Sequence, residues 1–246
     1  MRATYTWRTY FFAWMARLLL QVVFFAMVAG YTGDEASMRY ALVGNAIALG
    51  ALEAMVVVAL MVQERWTGTL PLLAIAPTSH VPVYLGRGLH FLVSGMISST
   101  IAFVVLPAAT GVPLPWPRAA LALPLIVVVC LSSYCYGCFL ASVALRHFSV
   151  TWLILNLGYL PIMAFCGVNV PTSFWPAPLE AVALLLPLTH GLAAIRGVLD
   201  GSPTAWILGE AGLEVLVGLA WLTVAIFSIR LVVRRGVADG TLEFSS

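Results

Sequence analysis

Lysine is missing altogether from these 246 residues, and all side-chain basic charge apart from histidine comes from 12 arginines. A phosphate-binding P-loop needs a lysine to reach the nucleotide phosphates, so the chain carries no Walker A site. Charge of either sign is scarce, at 9% of residues against 62% hydrophobic. A soluble domain holds about one quarter charged residues, which makes lipid the solvent for this chain. The four cysteines, Cys130, Cys135, Cys138 and Cys166, all lie inside apolar runs, where a secreted disulfide framework would not place them. Neither an H-E-x-x-H nor a G-x-S-x-G signature occurs. The net charge of +2 gives no argument for nucleic acid.

What remains is a series of long apolar runs. A spanning helix needs roughly 20 such residues, and six runs meet or approach that length, at about 12–31, 40–62, 88–110, 119–145, 148–168 and 206–233. The expected fold is an all-α polytopic membrane protein with six transmembrane helices. Arg2, Arg8 and Arg17 ahead of the apolar stretch 18–30 resemble a signal peptide, but Met27 stands where a cleavage site near Ala29 wants a small residue, so the segment is expected to stay. The stretch 169–203 is ambiguous: it is apolar enough to span, yet holds Glu180, Pro187, His190 and Arg196. Arginine placement decides. With six spans, Arg2, Arg8, Arg17, Arg65, Arg87, Arg146, Arg230, Arg234 and Arg235 face the cytoplasm and Arg39, Arg118 and Arg196 face out. That bias follows the positive-inside rule. It puts both termini in the cytoplasm of a bacterial inner-membrane protein. Segment 169–203 becomes an outer-leaflet helical hairpin split at its proline, between the fifth and sixth spans, and 63–87 a cytosolic loop.

Few residues inside the spans could carry chemistry. Glu53 lies near the middle of the second span, where a charge costs about 2.5–3.5 kcal/mol. It reads either as a substrate or proton contact or as a partner for a neighbouring polar group. Glu210 is expected at the outer interface, solvated, and Glu214 deeper, in a helix contact. Cys135 and Cys138 form a C-x-x-C inside the fourth run, among Ser132, Ser133, Gly137, Ala141 and Ser142. Small residues of this kind suit close helix packing, which is the favoured reading over zinc or redox chemistry. His190 is expected to hydrogen-bond within the outer segment.

The sharpest signal is cytosolic. Glu64 and Arg65 open it, Gly68 and Thr69 make a turn, and a short apolar helix bearing Leu70 and Leu73 follows before Pro77 and Ser79 end it. Leu70, Leu73 and Ala74 share one helical face. Such a face needs lipid or a partner protein to cover it.

These residues resemble the signature of the ABC-2-type permeases, the membrane subunits of a class of ATP-binding-cassette exporters. A second likeness lies outside, in Pro187, Thr189 and His190 followed by Arg196, Gly197 and Gly201. Trp66 and Pro71 depart from the family pattern, where acidic residues are common. The resemblance implies two permease subunits, identical or homologous, above two copies of a cytosolic ATPase. That ATPase would hold ATP and Mg, and this chain would bind no cofactor and no metal. It implies that Glu64 to Ser79 couple the ATPase to the spans and that Gln21, Asn45, Glu53 and Asn156 line the path. Pro187, Thr189, His190, Arg196 and Gly197 would belong to an outer gate. The expected cargo is an amphipathic, drug-like or antibiotic-like small molecule. A lipid-linked glycan, or a proton-coupled transporter using Glu53, are the alternatives, and a membrane-embedded enzyme stands further off because no catalytic group converges.

Overall fold

Backbone that crosses lipid must close its hydrogen bonds within the protein, so apolar runs of this length are obliged to be helical. The computed structural model of the chain describes residues 15–32, 35–66, 80–146 and 148–238. Among these residues no strand occurs. Ten α-helices follow in order: α1 (Met15–Thr32), α2 (Glu35–Met55), α3 (Val57–Trp66), α4 (His80–Arg87), α5 (Leu89–Thr110), α6 (Ala122–Arg146), α7 (Thr151–Phe165), α8 (Ala177–Leu185), α9 (Thr189–Asp200) and α10 (Thr204–Ala238).

Four segments are long and apolar enough to cross a membrane: Glu35–Gln63, Val81–Thr110, Arg118–Arg146 and Thr204–Arg235. The pair α8–α9 passes the same test only as a unit bent by 90°, which makes up to five. The break falls at residues 186–188, around Pro187, whose ring resists continuation of a helix. One of the six expected runs, the fifth, is shorter in the structure. Helix α1 has 18 described residues and α7 only 15. At 1.5 Å per residue, α7 reaches about 22 Å, short of a hydrocarbon core of about 30 Å. Residues 166–170 leave the helix instead. Pro161 lies inside α7 without ending it.

Helix boundaries also differ from the hydropathy boundaries. Residues 32–39, which separate the first two expected runs, already contain the start of α2, with Glu35 in its first turn. A carboxylate there suits the positive end of the helix dipole. Likewise α3 runs on to Trp66, and α4 is helical from His80. Of the expected coupling residues, Gly68, Thr69, Leu70, Leu73, Pro77 and Ser79 lie outside the described residues, and Glu64 and Arg65 are described only as backbone at the end of α3.

Helix α2 is the centre of the bundle. In the most apolar stretch of Glu35–Gln63, the segment that α2 opens, 78% of residues are buried, against 17% in that of Thr204–Arg235, which leaves α10 on the rim of the bundle. Helices α2 and α5 approach to backbone contact. A Cβ on Gly50 would lie 2.9 Å from Gly95 O, and one on Gly95 would lie 2.6 Å from Gly50 O. Small residues permit this approach and the dispersion contacts it brings. Helix α6 covers another side, packed by α10, α2, α3 and α9. Its buried Ser132, Ser133, Gly137, Ala141 and Ser142 form that contact face, and Ser142 Oγ lies 2.5 Å from Ser228 Oγ on α10. The four cysteines are free thiols. Among the described residues, no group of three His, Cys, Asp or Glu side chains is placed to hold a metal ion.

Candidate functional site

The end of the bundle at α9 gathers much of its buried polar chemistry. Arg196 sits on that helix one turn before Asp200, and its guanidinium reaches three main-chain carbonyls. Nη1 donates to Gly167 O at 2.7 Å, and Nη2 donates to Tyr40 O at 3.1 Å and to Val168 O at 3.2 Å. Its Cζ stands 3.3 Å from the centroid of the Tyr40 ring. The planar guanidinium fork can serve several carbonyls while stacking on an aromatic face, which a lysine ammonium cannot. The Gly167 and Val168 carbonyls are free because the chain has left α7 at Cys166, whereas Tyr40 O belongs to α2. The approach also requires a glycine on α2, since a Cβ at Gly44 would fall 2.0 Å from Val168 O and 2.9 Å from Arg196 Nη2. At the next residue of α2, Asn45 Nδ2 donates to Asn169 Oδ1 at 2.7 Å and to Ala41 O at 2.9 Å.

The other end of α9 is tied to α10. Glu214 is wholly buried. Its carboxylate accepts hydrogen bonds from Leu188 N at 2.8 Å, Gly191 N at 2.9 Å and the Ser132 hydroxyl. The first N–H groups of a helix have no partner within it, and a carboxylate there is further favoured by the dipole. Leu188 itself holds φ 84, a left-handed conformation costly for a non-glycine residue. The Thr189 hydroxyl adds a bond to Ala183 O at 2.6 Å, clamping α9 back onto α8.

His190 stands between two acceptors, with Nδ1 2.8 Å from Glu210 Oε2 and Nε2 3.2 Å from Leu184 O. It therefore bonds within the outer segment and also across to α10. Glu210 is not the solvated carboxylate expected from its position near the outer interface; its side chain is 20% exposed and paired with His190. Arg196, His190, Glu210, Tyr40 and Trp206 line a cavity of about 390 Å³. Gly197 abuts it, with Trp206 so near that a Cβ there would lie 2.4 Å from the ring. The expected gate residues Pro187, Thr189, His190, Arg196 and Gly197 thus fall on one structural unit.

The four expected path residues do not converge. Asn45 is buried in the outer contact just described. Glu53 is buried lower on α2 and accepts hydrogen bonds from Ser98 Oγ at 2.8 Å and Ser94 Oγ at 3.0 Å. Gln21 on α1 is half-buried and hydrogen-bonds the Tyr159 phenol on α7. Asn156 on α7 is exposed, its Nδ2 turned back to Trp152 O at 2.7 Å. Sequence reasoning missed Tyr40, Gly44, Ser94, Ser98 and the turn at Leu188. The Ser94–Ser98 pair, one turn apart on an apolar helix, was a legible signal for a facing carboxylate; the Leu188 conformation left no such mark.

Helical throughout its described residues, with four apolar spans and a bent pair that could form a fifth, the chain is a membrane protein. No curated protein and no solved structure matches it. A family profile, described as ABC-2 type transporter, matches residues 2–199. That match covers well over half of the sequence, including residues 64–79 and 187–197, and the chain therefore belongs to the ABC-2 type transporter family.

Proposed function

We propose that this chain is the permease subunit of an ATP-driven exporter, carrying an amphipathic small molecule out across a bacterial inner membrane. It would have six spans and cytoplasmic termini. The observation that carries this reading is the family match over residues 2–199. Two permeases, identical or homologous, would stand over two ATP-binding-cassette subunits that hold ATP and Mg. Residues Glu64 to Ser79 would receive their motion, and the α8–α9 pair would gate the outer mouth.

Asn156 supports a second permease or a wet cavity beside α7. It is exposed on a face with Trp152, Leu153, Leu157 and Leu160, and an amide at such a place favours a polar partner over hydrocarbon. Glu53, satisfied by two serine hydroxyls, behaves as a tie between α2 and α5, so the proton-coupled alternative gains nothing from its surroundings. A lipid-linked glycan remains the alternative cargo. The test is co-expression with a partner ATPase, followed by pull-down and transport in vesicles. Glu64→Ala combined with Gly68→Val should abolish coupled transport; unchanged assembly and transport would remove the coupling role. A cysteine placed at Thr69 should react from the cytoplasmic side, and reaction from the periplasmic side alone would overturn the topology.

A further inference from the structure

Two of the longest segments are each interrupted, and the interruptions touch. Between α2 and α3, Val56 N donates to Glu53 O at 3.1 Å, three residues back, while Val56 O takes Ala59 N at 2.9 Å and Leu60 N at 3.4 Å. Between α4 and α5, Gly88 stands outside both helices and its carbonyl takes Phe91 N at 3.0 Å. A Cβ on Gly88 would lie 2.4 Å from Val57 Cγ2 and 2.7 Å from the Tyr134 phenol oxygen. That phenol, reaching from α6, donates to Leu85 O at 2.6 Å, in the last turn of α4 where carbonyls lose their helical donors. Single irregular turns are common in long helices; two at one level, bridged by a side chain from a third helix, are not accounted for by either sequence alone. No proline lies at either break.

The packing changes partners across this level. On the outer side, α2 and α5 are locked together by Glu53 with Ser94 and Ser98 and by the Gly50–Gly95 approach. On the inner side, α3 packs on α6 and α7, and α4 packs on α10. Packed elements of this kind move as bodies, and bending concentrates where the hydrogen-bond ladder is already broken.

We propose that α3 and α4, the helices flanking residues 67–79, swing about a line through Val56 and Gly88. Tyr134 is the positioning residue that holds α4 against α6 at the hinge. This rests on the coupling role proposed above and deepens it: motion delivered between α3 and α4 bends both segments at one level and leaves the α2–α5 block intact.

The test is hydrogen–deuterium exchange on the full chain in lipid nanodiscs, first alone and then in complex with its ATPase plus ATP and vanadate. Alone, amides at 56–60 and 88–91 should exchange at least tenfold faster than those at 46–52 and 95–102. Tyr134→Phe should speed 88–91 several-fold further and leave 46–52 and 95–102 unchanged. Gly86→Ala, at a site with open space around it, should leave all four segments as in the wild type. Equal exchange across the four segments, or no response to Tyr134→Phe, would overturn the hinge while leaving the coupling role standing. A hinge that responds to Tyr134→Phe but not to nucleotide in the assembled complex would refute the coupling role, and with it the lever.

Discussion

Replacing Glu214 by alanine would strand two buried backbone donors at once, Leu188 N and Gly191 N, and leave the Ser132 hydroxyl without its carboxylate. An unsatisfied buried donor costs about 1–3 kcal/mol, so the two amides alone give about 2–6 kcal/mol. Hydrogen bonds between membrane helices measure lower than this on average, because the open state finds other partners. The lower end, about 2–3 kcal/mol, is therefore the expected penalty, and the left-handed Leu188 backbone would be free to relax once its N–H is released. At 1.4 kcal/mol per tenfold, local opening of α9 should become roughly 30- to 150-fold more frequent. Amide exchange at residues 188–192 in nanodiscs reads this directly. Glu214→Gln keeps one carbonyl oxygen and presents an NH2 group to one former donor, so its effect should stay below that of alanine. An alanine variant within threefold of wild type, or a glutamine variant worse than alanine, would refute the account of Glu214 as the cap of α9.

Arg196→Lys should destabilise the α9 end of the bundle nearly as much as Arg196→Ala, by about 2–4 kcal/mol, because an ammonium cannot span three carbonyls and stack on Tyr40; thermal unfolding of the purified chain checks this, and a lysine variant equal to wild type contradicts it. Glu53→Gln should retain expression and folding, since one amide oxygen can accept from both Ser94 and Ser98, whereas Glu53→Leu should lower the melting temperature; the reverse order would argue against a tie between α2 and α5. Gly44→Ala should fail to fold or lose several kcal/mol through contact with Val168 O, while Gly209→Ala, in open space on α10, should be neutral or stabilising by up to about 1 kcal/mol. Arg39→Ala should shift stability by less than about 1 kcal/mol, because its 3.0 Å pair with Asp200 is solvent-exposed.

Hydropathy alone located the long helices, because lipid leaves a spanning backbone no other way to pair its polar groups. Arg118–Arg146 agrees with the expected fourth run to within a residue at each end, and the break near Pro187 was legible from the proline itself. The errors share one cause. Helix ends are set by hydrogen bonding and packing, which a hydropathy window does not see, so α2 begins at Glu35 within a polar stretch and α7 stops at Phe165 within an apolar one. Glu214 was readable as a buried contact because a carboxylate deep in a span needs a donor. Its donors were not readable, since two of them are main-chain amides of a helix 23 to 26 residues away. Glu210 was misjudged as solvated for a related reason: position along a helix gives depth, not neighbours, and His190 approaches it from a separate element.

The joint at Arg196 has a lopsided dependence on the gene. Its three acceptors are carbonyls of Gly167, Val168 and Tyr40, and a carbonyl persists whatever codon specifies its residue. Drift at Val168 can therefore change the surrounding shape but never delete the acceptor. Among the hydrogen-bonding groups themselves the vulnerability is carried by the donor's codon, beside the Gly44 that lets Val168 O approach, and related sequences should show both held fixed while the residue supplying the 168 carbonyl wanders.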